Sequence, residues 1–200
     1  MEQQHDQLEL ASLAEDLPRY FERLVLLYLL ALKAFALRHT GSLHDAEEIA
    51  QEALIRAYYA LERYPVERRR MLKARPWLYK ITWNMYCNYT RRDKPPEALS
   101  LEAESGAWRE PENAPEEQPE RAFESAEQRQ ELEALVATLP PRYRTVVSLY
   151  YFEDLSYQEI ADLLQQPLGT VKGTLHRSIR LLRKALGQEP AGEEERHAGR

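Results

Sequence analysis

Between Gly169 and Leu186 the chain carries five Lys/Arg residues and no acid, within the stretch LGTVKGTLHRSIRLLRKAL (168–186). Val171, Leu175, Ile179 and Leu182 recur there at helical spacing, which gives the segment one apolar face. Thr170, Lys172, Gly173, Thr174, His176, Arg177 and Arg180 fall on the other side. Cations draw phosphate, while short polar groups at a helix start reach base edges. The pattern suits a helix laid in the major groove of duplex DNA. The bland alternative is an amphipathic hairpin with a solvated basic face. Against it stand the segment's neighbours in LSYQEIADLLQQP (155–167): Ser156 and Glu159 at capping-box spacing, small Ala161 for close helix approach, and a short turn over 165–168.

A second set of residues has single-strand chemistry. The loop PVERRRMLKAR (65–75) supplies Arg68, Arg69, Arg70, Lys73 and Arg75. The following PWLYKITWNMYCNYTRR (76–92) adds Lys80, Trp83, Asn84 and Arg91, with Tyr79 and Tyr86 interleaved. Rings stack on unpaired bases and cations hold the backbone. The competing reading packs these aromatics inside a helical bundle. It is preferred for Trp77 and stays open for Trp83 and Tyr86. A third set, Asp45, Glu48, Gln51, Glu52, Ile55 and Tyr59, shares one side of a helix expected over Asp45–Tyr64. Its mixture of acids, an aliphatic and an aromatic fits a protein interface, unless a further helix covers Ile55 and Tyr59.

No catalytic or metal constellation emerges. The five histidines are scattered, Cys87 is the only cysteine, and no cofactor is expected.

The elements that must hold these residues are helical. Glycine is scarce and strand-like alternation is absent, so the fold expected is all-α: two small helical domains joined by an acidic flexible linker, the second a helix-turn-helix. Helices are expected over 18–38, 45–64, 76–92, 124–138, 141–152, 156–164 and 168–186. The organisation expected is an acidic N-terminal extension 1–17, a helical domain 18–92, a Pro/Glu-rich linker 93–122, a second domain 123–187, and a disordered tail 188–200.

The net charge of −6 is poor for a nucleic-acid binder, but it is unevenly spread. Residues 18–95 hold 15 Lys/Arg against 8 Asp/Glu, whereas residues 96–131 hold 3 against 11. Phosphate attraction acts over about a Debye length, ~8–10 Å, so the block charge governs binding. The acidic linker either mimics nucleic acid in a basic channel or simply keeps itself solvated. The longest apolar run, Leu24–Leu32, is too short to span a bilayer, so no membrane insertion is expected. The acidic N-terminus does not resemble a signal peptide, and a cytoplasmic location follows as an expectation.

LSYQEIA, GTVK (169–172) and LHR (175–177) together closely resemble region 4 of bacterial RNA polymerase sigma factors, above all the extracytoplasmic-function (group IV) type. FALRHTGSLHDAEEIAQEALIRAYYALERY (35–64) and PWLYKITWNMYCNYTRR resemble their region 2. The resemblance covers about 20–92 and 124–186.

It implies a subunit that binds core RNA polymerase through Gln51, Glu52 and Ile55 and their neighbours. The loop 65–75 and the helix after it would then recognise and melt the −10 element as single strand. The helix-turn-helix would read the duplex −35 element. An anti-sigma factor is an implied further partner, and catalysis would belong to the polymerase. Departures from the family pattern are Gln165 where glycine is usual before the turn, Thr174 where arginine is frequent, and Trp83 in place of a small residue. Two other readings remain: a stand-alone helix-turn-helix regulator, and a sigma mimic that binds an anti-sigma factor. The basic loop Arg68–Arg75 argues against the mimic.

Overall fold

The computed structural model describes residues 2–93 and 126–186. The expected linker and C-terminal tail lie outside the described residues, apart from Asp93. Every regular element among those described is helical.

The first unit is built on α2 (Leu17–Thr40), α3 (Leu43–Glu62) and α5 (Ala74–Asp93). Asp16 starts α2 by accepting the Arg19 N–H at 3.2 Å, and Pro18 sits in the first turn, where its missing donor costs nothing. Gly41 ends α2 at φ +71°, a conformation glycine adopts without strain. Ser42 then caps α3 by accepting from the Asp45 N–H, so α2 and α3 form a tight antiparallel hairpin. The alanine-rich face of α3, with Ala46, Ala50, Ala53 and Ala57 buried, lets α2 and α5 approach closely. A short helix, α4 (Val66–Arg70), interrupts the basic loop before α5.

The N-terminal extension, expected only to be acidic, forms a helix, α1 (Glu2–Ser12). Leu10 and, just beyond the helix, Ala14 are fully buried in the main core, and Leu13 and Leu17 pack against it. This i, i+3/i+4, i+7 pattern is a helical signal that the many acids around it conceal.

The second unit comprises α6 (Ala126–Ala137), α7 (Pro141–Val147), α8 (Tyr157–Leu164) and α9 (Leu168–Ala185). The single helix expected over 141–152 is α7 followed by a wider π-helical turn, Ser148–Phe152. There the Glu153 N–H reaches back to the Ser148 carbonyl at 3.2 Å, and Asp154 follows at φ +51°. Such a turn redirects the side chains after it.

Candidate nucleic-acid interface

The helix-turn-helix forms from local chemistry. Ser156 and Glu159 satisfy each other's backbone N–H groups, and so the expected capping box is present. Burial would raise the Glu159 pKa, but hydrogen bonds from Ser156 and the nearby Lys73 ammonium hold it below the usual carboxylate range. Gln165 stands in the left-handed region at φ +56° and ψ +43°, and both its N–H and that of Gln166 return to the Ala161 carbonyl. The position therefore does need positive φ, and the chain meets that need with a residue that pays for it in strain. Pro167 precedes α9. Val171, Leu175, Ser178 and Leu182 are buried, while Ile179 is only half-buried. Ser178 satisfies itself by donating to the Thr174 carbonyl at 2.7 Å.

The other side of α9 is open. Thr170, His176, Arg177 and Arg180 are exposed, and Lys172, Gly173 and Thr174 half-exposed, all before the last turn of the helix. A Cβ on Gly173 would meet nothing within 4 Å, so the surface here is free for a ligand. Thr174 can give a base one hydrogen bond or a methyl contact, but not the bidentate pair that arginine gives guanine.

On α3, Gln51, Glu52, Ile55 and Tyr59 are exposed, with Ile55 at 50% and Tyr59 at 58%, so no helix among the described residues covers them. Glu48 is exposed too, and Asp45 is half-buried at the helix start. Glu52 pairs with Arg56 at 2.7 Å. An aliphatic and an aromatic side chain thus stand in water on an acidic helix face.

The single-strand set divides. Arg68 lies over the Tyr64 ring at 3.8 Å and is exposed, as are Asn84 and Arg91. Arg70 pairs with Glu15 just past α1, at 2.9 Å, and the Arg69 carbonyl accepts from the Tyr20 hydroxyl at 3.2 Å. Trp83 is half-buried. Its ring meets His39 at 5.5 Å and Tyr86 at 5.2 Å, so packing explains it at least as well as base stacking. His39 Nδ1–H donates to the Phe35 carbonyl at 2.8 Å, while its Nε2 is enclosed without a hydrogen-bond partner. Burial pushes its pKa down to about 4, and the Arg38 and Arg144 charges push the same way.

The remaining cations of this set face the second unit. Lys73 lies 3.6 Å from Glu159, Arg75 donates to the Glu153 carbonyl at 3.1 Å, and Lys80 donates to the Asp162 carbonyl at 3.3 Å. At the centre of this contact is the Glu153 carboxylate, only 3% exposed, which pairs with Arg38 and accepts from the Tyr79 hydroxyl. Arg38 also pairs with Glu133 at 3.3 Å and lies over the Phe152 ring. Tyr79 is thus buried rather than on the outer side of its helix. Burial and the adjacent carboxylate hold its phenol protonated, as a donor. No residue pattern signals this contact. Glu153 and Arg38 are 115 residues apart, and a lone glutamate after an aromatic run reads as a solvated surface charge.

Sequence comparison decides what these two units are. The profile "Sigma-70 region 2" matches residues 24–95, and "Sigma-70, region 4" matches residues 129–182. The ECF RNA polymerase sigma factor SigW of Bacillus subtilis is 38% identical over 152 residues, which cover 74% of this chain and 79% of the relative. The chain belongs to the extracytoplasmic-function group of the sigma-70 family.

It is a promoter-recognising sigma factor of transcription initiation, a family that is not a class of enzymes. The RNA polymerase sigma-H factor of Pseudomonas aeruginosa is 32% identical over 92% of this chain and 95% of its own length. Among solved structures, CnrH bound to the cytosolic domain of CnrY has the same fold, with a TM-score of 0.59 and 20% identity over 92% of this chain. The sigma factor RpoE of Bartonella quintana, solved with the anti-sigma factor NepR, also aligns with a TM-score of 0.59, at 22% identity. No described helix is long and apolar enough to cross a membrane.

Proposed function

We propose that this sigma factor docks on core RNA polymerase through the outward side of α3 and reads a promoter at two places. Ile55 and Tyr59 supply the apolar contact, and Asp45, Glu48, Gln51 and Glu52 surround it. The exposure of both apolar side chains on a helix otherwise well packed is the observation that carries this reading, because burial against a partner is what such a patch is for. The loop 65–75 and α5 take the −10 strand, with Arg68, Asn84 and Arg91 exposed to it. The open side of α9, through Lys172, Thr174, His176, Arg177 and Arg180, takes the −35 duplex. Two modest contacts on one tether reinforce each other by effective concentration. The units are read as 18–92 and 123–187, acting in the cytoplasm without chemistry of their own. An anti-sigma factor, such as those solved with proteins of this fold, is the expected antagonist.

Run-off transcription with core polymerase over a genomic promoter library tests the proposal. The wild-type chain should direct transcripts from start sites sharing two spaced elements. Ile55→Ala combined with Tyr59→Ala should weaken core binding at least tenfold, given ~1–2 kcal/mol for each exposed apolar anchor lost from an interface. Tight duplex binding without polymerase, and no transcript with it, would instead favour a stand-alone regulator.

A further inference from the structure

The basic loop of the first unit packs five cations into eight residues, Arg68 to Arg75, around a helix of five residues. Neither feature holds itself in place: the charges repel one another, and so short a helix is unstable alone. The loop is fixed from outside, at two of its carbonyl groups. The buried Tyr20 hydroxyl donates to the Arg69 carbonyl at 3.2 Å, and the Gln7 amide on α1 donates to the Leu72 carbonyl at 2.7 Å. Burial pushes the Tyr20 pKa up to about 12, so its hydroxyl remains a donor throughout the neutral range.

The N-terminal segment is itself firmly seated. Leu10 and Ala14 are fully buried, Glu9 pairs with Arg23 of α2 at 2.7 Å, and Glu15 pairs with Arg70 of the loop at 2.9 Å. Glu15 thus faces a loop cation, and the Gln7 amide is spent on a loop carbonyl rather than on its own helix.

We propose that α1 is a specificity element, in which Gln7 is a positioning residue that fixes the path of the loop 65–75 and so sharpens discrimination of the −10 strand. This rests on the −10 role proposed above for that loop. Both anchors, Gln7 on α1 and Tyr20 on α2, lie before residue 24, where the match to the family profile begins. A loop tied at Arg69 and Leu72 presents Arg68, Arg70 and Lys73 at fixed places. Released, it would still attract the backbone, but it would accept wrong bases more readily.

The test uses the full chain with core polymerase and the promoter that the wild-type chain selects best from a genomic library. Templates carry single-base changes in either the −10 or the −35 element. Gln7→Met keeps the length and loses the donor. Gln7→Lys keeps a donor with similar reach. Gln7→Met should lower discrimination between the best and altered −10 elements by about fivefold, the worth of one net hydrogen bond. Discrimination at −35 and core affinity should stay at the wild-type level, and Gln7→Lys should restore −10 discrimination. Unchanged −10 ratios for Gln7→Met, an equal fall on −35 templates, or no rescue by Gln7→Lys would overturn the proposal while leaving the sigma function intact. A wild-type chain that directs no transcript would overturn the parent reading, and this one with it.

Discussion

Replacing Glu153 with alanine is expected to part the two units without unfolding either. The Glu153 carboxylate is nearly sealed between Arg38 and Tyr79, and Arg38 is itself largely enclosed. Removing one member of a buried pair typically costs about 3–5 kcal/mol, because the other is left as an uncompensated charge. Here Arg38 keeps only the longer contact to Glu133, at 3.3 Å, and its charge also has an escape. Arg38 belongs to the first unit, and water reaches it once the second unit lifts away, so the loss falls on closure rather than on folding. Even about 3 kcal/mol shifts the closed-to-open ratio roughly a hundredfold.

Opening should also release Lys73, Arg75 and Lys80, which face α8 and its flanks in the closed form. If these three cations then bind phosphate, the log–log salt dependence of binding to a single-stranded −10 oligonucleotide should steepen by about 2. Fluorescence energy transfer between labels on α3 and α9 reads the separation, and titration at several salt concentrations reads the slope. Arg38→Ala, on the opposite side of the contact, should give the same opening, and the double variant should add little more. Full additivity, or an unchanged separation and slope with only a lower melting temperature, would refute the reasoning.

Two further outcomes follow from single residues. His39 is held neutral, with its pKa lowered from 6.5 to about 4, so the unfolded chain binds its proton more readily. Stability from this site is therefore full above pH 6.5 and is lost as pH falls toward 4, by at most about 3 kcal/mol. His39→Phe should flatten that part of the pH–stability curve measured by urea unfolding, and an unaltered curve would count against the burial argument. Gln165→Gly should relieve left-handed strain at φ +56° and stabilise the second unit by about 0.5–1 kcal/mol, read as a higher urea midpoint. A lower midpoint would mean that the Gln165 side chain contributes more than its backbone costs.

These cases show which features the sequence could disclose. The helix-turn-helix was legible because its determinants lie within a few residues of one another: Ser156 with Glu159, Ala161 with the turn, Val171 with Leu175. Gln165 was legible as a departure, and its positive φ makes the departure physical. Ile55 and Tyr59 could be placed on the outer side of α3 by spacing alone, but only the packing of α2 and α5 on the opposite face shows that none of the described residues covers them. Trp83 and Tyr86 illustrate the converse. Their spacing suits bases, yet much of their ring surface is engaged with His39, a partner contributed by another helix. The π-helical turn at Ser148–Phe152 had no sequence signature, since it differs from an α-helix by one hydrogen-bond register. Glu153 stands directly after that turn and pairs with Arg38. Residues proposed to bind DNA in one arrangement hold the two units together in this one, because a carboxylate or a backbone carbonyl satisfies Lys73, Arg75 and Lys80 much as a phosphate would.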